Sequence, residues 1–600
     1  MIRLIGLGAI QTLLRIFDAY GDHLSPEAWS MCIRSVIFKM LSSIETQLGV
    51  LTNSKSTTSS KEKIAWIETT VLVLNGVSGL LTSYLSVLTS HSSFTSCWRT
   101  LLDHFKSLLK CDILDINTAI FKALRQLLSY ANRGNGTGAH LHRESIDLVW
   151  QLWSQGLPLA SAELSGTSNN QDCLIAYVTS LKELYRLMRD DINAERSQRI
   201  LILLRDAIQE ADIATYSADI EYLTSLQTQV LETLKIIRTD VNGVPAAIII
   251  QVAEFSALAF QKEQVQPDKQ RQTYVALSKA SMAFLGSLIL SHALDHEVYI
   301  SGALTSSLIA LSKPIETKYL FPISVKGLPP WKHATTTALS ILKATLPVIT
   351  GPDALGDDKK SIWSSIVKIT SGIISATCPP THIMPIKKDE EFDITSFLAL
   401  RDLIIPALGS HTIPDAVRRA YTESLFYTSL IHSPEPGELP QQNKELLAAL
   451  YKPRKGRTVD PPPSQRAKMS YICFDELVSL ISVHDSSLPR VRLAQAAAPY
   501  LILRAGITLR AYIADQPLRG NMPQPLSQRK ELLYVLKALV GLKCEPDSIP
   551  NAPGVKSEGK KHLHRLYPLL AKAVMAAARD QEVLGWLGKA LEEVGMEFGV

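Results

Sequence analysis

Apolar residues recur with a helical period along nearly the whole of this 600-residue chain. The first example is near the N-terminus, where Ile10, Leu13, Leu14 and Phe17 are spaced i, i+3, i+4 and i+7 and so form one stripe on a helix. Pro26 then opens a second apolar-periodic segment in the first-turn position that proline favours. Because no convincing run shows the alternation typical of strands, the sequence predicts an all-α protein.

The same period predicts helices along the rest of the chain, separated by short polar loops. They cover residues 2–20, 26–48, 62–90, 93–110, 114–131, 142–155, 170–189, 193–210, 215–239, 245–262, 270–291, 296–312, 330–349, 359–376, 392–409, 413–431, 440–451, 468–484, 489–513, 526–542, 560–579 and 581–597. Helices of about 15–25 residues that follow one another as hairpins, with a period near 40–47 residues, are typical of HEAT and armadillo repeats. We therefore expect a HEAT/armadillo-like α-solenoid of stacked antiparallel helix pairs.

A short internal repetition supports this expectation. Residues 413–420 (IPDAVRRA) and 488–494 (LPRVRLA) both contain a proline followed by Val-Arg and then an alanine. Both resemble the segment that opens a HEAT repeat, in which Val and Ala pack inward and Arg reaches polar groups of a neighbouring repeat. A chance echo remains the alternative for so short a pattern.

Proline and charge suggest a partial boundary near residues 440–468. We interpret residues 1–440 as the HEAT-like helical array, 441–468 as a Pro-rich basic linker, and 469–600 as a C-terminal helical block that continues the solenoid. Because the apolar period is already running at residue 1, we also expect the first helix to expose an apolar face that preceding repeats would cover.

Composition excludes several classes of protein. A hydrophobic content of 46% with 20% charged residues excludes a disordered chain, and a formal net charge of +5 does not indicate a nucleic-acid partner. The seven cysteines are scattered and never in CxxC spacing, which is typical of free thiols in a reducing cytosol. We find no signal peptide and expect no transmembrane segment, so any membrane association would be peripheral.

Candidate catalytic, cofactor and metal motifs all fail on inspection. Residues 554–561 approach the phosphate-binding GxxxxGK[ST] loop, but Lys561 stands where Ser or Thr must hold magnesium, and no strand precedes the loop. His292 and His296 are four apart, yet Glu297 follows the second histidine rather than the first, as a zinc-binding HExxH motif would require. Cys97 and His104 lack a third orienting group. The sequence therefore predicts no catalytic site, no cofactor, no metal site and no small-molecule substrate.

One segment is rich enough in basic residues to be a candidate interaction site. Residues 452–468 contain six basic residues against one acidic residue, and a triple proline that favours an extended conformation. Such a segment can contact anionic lipid or a partner protein, and the alternative is a solvated linker. The candidate contact residues are Lys452, Arg454, Lys455, Arg457, Arg466 and Lys468.

The N-terminal segment Leu7 to Glu45 (LGAIQTLLRIFDAYGDHLSPEAWSMCIRSVIFKMLSSIE) resembles the C-terminal region of the Mon-two proteins. These are large HEAT-repeat proteins of Golgi and endosomal membranes, related to the BIG/GBF class of Arf exchange factors but without the catalytic exchange domain. Further similar segments are residues 66–78, 98–105, 115–124, 564–570 and 591–595. These segments are packing motifs, so they identify a relative without defining a site.

The resemblance implies a non-enzymatic scaffold in vesicle-mediated protein transport between late Golgi, endosomes and vacuole, including endocytosis and vacuolar sorting. It further implies a cytoplasmic protein, peripheral on Golgi, trans-Golgi and endosome membranes. The partners it implies are a Dopey-like scaffold, an Arf-like small GTPase and a lipid flippase. Two alternatives remain: a karyopherin-like HEAT-repeat transport receptor, disfavoured by the lack of acidic runs, and a regulator of nucleotide exchange on Arf-like GTPases.

Overall fold

The computed structural model describes the chain as an all-α protein. Apart from two isolated bridges, His432 with Pro463 and Ser482 with Cys544, no extended pairing occurs in the described residues. Those residues are 2–53, 60–132, 141–158, 169–212, 219–261, 272–321, 325–351, 358–375, 387–439, 446–485, 487–550, 557, 559–577 and 579–597. Their contacts form two compact units, Met1–Ser281 and Met282–Val600. The predicted division at residues 440 and 468 falls inside the second unit and stays a prediction.

The helices of the first unit follow the predicted ones closely. They are α1 (Ile2–Tyr20), α2 (Pro26–Cys32), α3 (Phe38–Asn53), α4 (Ser60–Ser83), α5 (Leu85–Thr89), α6 (Phe94–Leu109), α7 (Leu114–Asn132), α8 (Arg143–Trp153), α9 (Gln171–Met188), α10 (Ala194–Gln209), α11 (Ser225–Ile236), α12 (Val244–Ala257) and α13 (Val275–Ser291), which crosses the division.

Two layers of helices build this first unit. Helices α1, α4, α7, α9 and α11 contact one another in that order, and α3, α6 and α8 form a second row against them. Each hairpin therefore packs on the next, which confirms the predicted stacked helix pairs. Between the rows the Trp153 ring of α8 stacks on Tyr177 of α9 with centroids 4.5 Å apart, and within the first row Phe121 of α7 meets Tyr177 edge-on.

Local signals explain where individual helices begin. Ser25 caps α2 by accepting a hydrogen bond from the amide of Ala28. A capping box between Thr224 and Gln227 sets the start of α11 at Ser225, so the predicted helix is wrong over residues 219–224, and its residues 215–218 lie outside the described part. A π-helical turn, Ile33–Ile37, joins α2 to α3 within one continuous helical path.

The second unit has the same layered plan. Its helices are α14 (His296–Ile300), α15 (Ala303–Glu316), α16 (Pro330–Ile349), α17 (Asp358–Ile374), α18 (Lys387–Leu408), α19 (Asp415–Ser429), α20 (Ala467–Ile481), α21 (Leu488–Arg519), α22 (Leu526–Gly541), α23 (Lys561–Ala576) and α24 (Gln581–Glu597). Helices α15, α17, α19, α21 and α23 contact in succession, with α16, α18, α20, α22 and α24 packed on them.

Two predicted helices of this unit need correction. The one at 296–312 is divided, because Gly302 adopts a left-handed φ of 76° between α14 and α15. The one at 440–451 is wrong where it can be compared, since Ala448–Tyr451 forms only a 3₁₀ turn; residues 440–445 lie outside the described part. The expectation of an exposed apolar face at the start of α1 concerns side chains that also lie outside it.

The repeated segments converge on one turn. Arg418 donates to the carbonyl oxygens of Leu408 and Ser410, and Arg492 donates to the carbonyl oxygen of Gly409 between them. Arg492 thus reaches a neighbouring repeat, as predicted. The expectation that the alanine packs inward holds for Ala494 but is wrong for Ala420, which is exposed.

Helix α4 bears on the expectation that the chain has no transmembrane segment. Its residues Glu62–Ser83 are long and apolar enough to cross a membrane by length and composition alone, a weak test that buried core helices also pass. Val73, Leu74 and Val77 are buried, and α4 packs on α1, α3 and α7. We therefore interpret α4 as a core helix.

Candidate interaction surface

The predicted basic segment lies against the helices of the second unit. We call residues 450–466 the strap. Leu450 of the strap is buried and packs where Gly506 of α21 leaves room, since a Cβ at Gly506 would come within 2.1 Å of the Leu450 Cδ1 atom. Gly456 likewise lies against the main chain of Ala514, one turn before the end of α21.

Two of the predicted contact residues, Arg454 and Arg457, meet at one carboxylate. The Arg454 guanidinium donates to Asp515 at 3.0 Å and to Glu438 at 2.9 Å, with only 4% of its side chain exposed. The backbone amide of Arg457 donates to the other Asp515 oxygen at 2.7 Å, and its side chain donates to Glu435 at 3.1 Å. These arginines are therefore ion-paired inside the unit.

Arg466, the third predicted arginine, is buried in a separate cluster. It donates to Asp393 at 2.6 Å and to the carbonyl oxygen of Ile374 at 3.0 Å. Lys318 donates to the same Asp393 oxygen at 2.8 Å, and neither the lysine nor the aspartate side chain is more than 1% exposed. Burial lowers the pKa of Lys318 to about 8 and raises the pKa of Asp393.

The three predicted lysines have the opposite placement. Lys452, Lys455 and Lys468 are all exposed, and Lys468 lies 3.8 Å from an equally exposed Glu391. The structure therefore divides the six candidate contact residues into three arginines that are ion-paired within the unit and three exposed lysines. Contact with anionic lipid or a partner stays a prediction for the lysines.

A further buried network lies on the neighbouring helices. Arg504 is 1% exposed and contacts Glu531, whose other oxygen lies 2.5 Å from His432 Nδ1. Arg504 also donates to the Ser429 carbonyl oxygen at 3.0 Å. Sequence reasoning missed this network, although Arg504 interrupts the apolar run of α21 and so offered a signal.

The cavity near these groups is small, and so is one in the first unit. One of about 40 Å³ lies beneath the strap and is lined by Arg454, Arg504, Asp515 and Glu531. Another, of about 30 Å³, is apolar and lies beside the π-helical turn, with Cys97 on its wall. Each has room for a few water molecules but not for a metabolite.

The rejected catalytic and metal motifs have ordinary partners. Arg34 donates to the Cys97 sulfur at 3.3 Å, while His104 pairs with Glu45, so Cys97 and His104 do not act together. His292 pairs with Asp295 of its own turn. Within the described ranges, no group of three or more His, Cys, Asp or Glu side chains could hold a metal. Of the GxxxxGK-like segment, residues 554–556 and 558 lie outside those ranges.

A buried Cys–His pair resembles a catalytic dyad but has the wrong protonation. The Cys544 sulfur is 3.0 Å from His562 Nδ1, and His562 Nε2 is 2.8 Å from the carbonyl oxygen of Leu539. Burial raises the pKa of Cys544 to about 12 and lowers the pKa of His562 to about 4. Both groups are therefore neutral at pH 7, and the thiol donates to the imidazole instead of attacking a substrate.

Comparison with known proteins finds relatives over nearly the whole chain. The family described as "GBF1-like, tetratrico peptide repeat region" matches residues 3–151. The Protein MON2 homolog of Schizosaccharomyces pombe is 24% identical over 547 residues, covering 89% of this chain and 32% of that protein. The human Protein MON2 homolog is 21% identical, covering 97% of this chain and 38% of its own length. Protein MON2 of Saccharomyces cerevisiae is also 21% identical, with 94% and 34% covered.

The chain thus spans about a third of the length of these relatives. Among solved structures, the crystal structure of SYS-1 aligns with 92% of this chain and 99% of its own at 11% identity, but with a TM-score of only 0.20. The fold assignment therefore depends on the layered helices themselves. The MON2 matches over nearly the whole chain, with the GBF1-like match at its N-terminal end, support a Mon2 family member related to the BIG/GBF class.

Proposed function

We propose that this chain is a non-enzymatic scaffold in vesicle-mediated protein transport between late Golgi, endosomes and vacuole, including endocytosis and vacuolar sorting. The observation that carries this proposal is the similarity to Mon2 proteins over 89–97% of the chain. Stacked helix pairs support it, because such arrays present extended surfaces to partner proteins. The proposed location is cytoplasmic and peripheral, on Golgi, trans-Golgi and endosome membranes.

The chemistry of the buried groups supports a non-enzymatic role. The pKa of Cys173, like that of Cys544, is raised by burial to about 12, so neither thiol is a nucleophile at neutral pH. The charged clusters around Asp393, Asp515 and Glu531 join helices to one another, and the cavity beside Asp515 and Glu531 is only about 40 Å³.

The proposed partners are a Dopey-like scaffold, an Arf-like small GTPase and a lipid flippase. A pull-down with the tagged chain from membrane extract, identified by mass spectrometry, tests this. We expect proteins of these three classes to be enriched over an unrelated helical-repeat protein of similar size. Enrichment of nuclear-transport cargo instead would favour the karyopherin-like alternative and overturn the proposal.

A second candidate function is regulation of nucleotide exchange on Arf-like GTPases. The GBF1-like match over residues 3–151 favours it, because that match relates the chain to exchange factors. The test is release of a fluorescent guanine nucleotide from purified Arf-like GTPases, alone and with an exchange factor. Acceleration by the chain alone would contradict the scaffold-only proposal, and a change seen only with the exchange factor would support regulation.

A further inference from the structure

The turn between α21 and α22 exposes an unusual concentration of large apolar side chains. Leu518 is 57% exposed, Met522 70% and Leu526 86%, all within nine residues. Single exposed apolar residues are ordinary on protein surfaces, but a cluster of them marks an interaction site.

The strap brings a fourth apolar residue and the basic groups to the same place. Asp460 of the strap contacts Arg519 and accepts a hydrogen bond from Gln528 at 3.2 Å, which fixes the strap between the end of α21 and the start of α22. Val459, the residue before Asp460, is 78% exposed. Gly456 lies against Leu518, so the exposed Lys455 is adjacent to the apolar cluster.

The turn is also held in shape before any partner binds. Pro517, Pro523 and Pro525 restrict the backbone around it. The Met522 amide donates to the Arg519 carbonyl oxygen at 3.1 Å, and Gln516 donates to the Met522 carbonyl oxygen at 3.1 Å. Little backbone entropy is therefore lost when these side chains are buried by a ligand.

The charged residues around the turn indicate which kind of ligand it binds. The acidic groups of the strap region, Asp460, Asp515 and Glu438, are all paired with arginines, whereas Lys452 and Lys455 face solvent. Apolar side chains on a chain reversal with lysines beside them fit a bilayer that has anionic headgroups.

We propose that this turn and the adjoining strap form a lipid-docking edge. The apolar side chains enter the boundary between headgroups and acyl chains, and the lysines contact anionic headgroups. The edge consists of Lys452, Lys455, Val459, Leu518, Met522 and Leu526. The proposal rests on the proposed function for its setting, and it adds the surface through which this chain meets the membrane.

The test is sedimentation of the full chain with phosphatidylcholine vesicles, with and without 30% phosphatidylserine, at low and high salt. We expect binding to the anionic vesicles only, weakened by salt. The Lys452→Ser/Lys455→Ser variant should lose about five-fold in affinity for each lysine and most of its salt dependence. The Met522→Ser/Leu526→Ser variant should lose at least about ten-fold at both salt concentrations, since it removes apolar burial.

The matched control is Leu294→Ser/Met596→Ser, which replaces one leucine and one methionine that are 87% and 62% exposed elsewhere in the second unit. Met596 is next to Glu597, which accepts a hydrogen bond from the Lys560 amide. The Lys560 side chain donates to the Val540 carbonyl oxygen at the C-terminal end of α22, the opposite end from Leu526. Circular dichroism confirms that each variant is folded. Failure of the parent to bind anionic vesicles, or equal loss in the control, would overturn the docking edge.

Two further outcomes also decide the matter. If the chain dimerises through this turn, or if Met522→Ser/Leu526→Ser removes a protein from the pull-down while vesicle binding is unchanged, the edge binds protein and the proposal is wrong. Because the partner pull-down uses the same chain without vesicles, it can succeed while the vesicle assay fails. The docking edge and the proposed scaffold function are therefore tested separately.

Discussion

Arg454 and Asp515 are 61 residues apart in the sequence, yet their side chains form an ion pair of 3.0 Å with only 4% of each exposed. A charge pair at this depth stabilises a fold only while both members are present, because removing one leaves the other buried without compensation. The pair holds the strap against α21. The exposed Lys455, which is adjacent to Arg454 in the strap, serves as the control for its replacement.

Replacing Arg454 by Ser should lower the free energy of unfolding by about 3 kcal/mol, since Asp515 and Glu438 both lose a buried partner. Replacing the adjacent, exposed Lys455 by Ser should change it by less than about 0.5 kcal/mol. Urea denaturation followed by circular dichroism measures both. Equal effects of the two substitutions would mean that the strap does not stabilise the second unit.

The Gly409→Ala substitution should also destabilise the protein. The new Cβ would lie 2.3 Å from the Pro489 carbonyl oxygen and 2.7 Å from its carbonyl carbon, so backbone would have to move. We expect a loss of about 1–3 kcal/mol. The control is Gly585→Ala in α24, where the added Cβ meets nothing within 4 Å and better helix propensity should stabilise by about 0.5–1 kcal/mol. Thermal melts with the same sign for both variants would contradict this packing.

Asp393 neutralises two buried cations, and its replacement tests that cluster. Asp393→Asn should cost about 3–5 kcal/mol, because Lys318 and Arg466 then remain buried without a carboxylate. Adding Lys318→Met should recover part of this loss, since it removes one of the stranded charges. A double-mutant cycle in urea gives the coupling, and strictly additive losses would show that the two groups act independently.

The pKa of His562 predicts an acid-sensitive step in stability. Its folded-state pKa of about 4 lies below the ordinary histidine value of 6.5, so the unfolded chain binds the proton more readily. The stability is therefore fully present above pH 6.5 and is lost as the pH falls towards 4, by about 3 kcal/mol in total. His562→Leu should weaken the fold at pH 7 but reduce the slope of unfolding free energy by about 1.4 kcal/mol per pH unit in this window. An unchanged slope would show that another group titrates there.

Most helices could be predicted from the sequence because local residue patterns determine where they lie. The predicted spans 330–349 and 581–597 coincide with α16 and α24, where proline or polar residues end one apolar period and begin the next. Stacking followed from the same pattern, since each helix has an apolar stripe that a neighbour must cover. The start of α11 was missed because a capping box between Thr224 and Gln227 decided it rather than the apolar period.

The strap could not be predicted from its own residues. Six basic residues among prolines have the same local pattern whether they face water or pair with carboxylates. The deciding partners are remote: Asp515 lies 61 residues from Arg454, and Asp393 lies 73 residues from Arg466. Only tertiary packing reveals which cations are buried, and it separates the three arginines from the three lysines.

The strap also connects helices of the second unit that belong to different pairs. Its hydrogen bonds and ion pairs reach α18 through Arg466, α21 through Arg454 and α23 through the Tyr451 hydroxyl, so one short segment contacts three different helix pairs. Bending the second unit where the strap contacts the helices would separate buried ion pairs. The free energy required would rise steeply as the charges move apart. We therefore expect the strap to stiffen this part of the second unit, so that a load applied to one helix pair is shared by its neighbours.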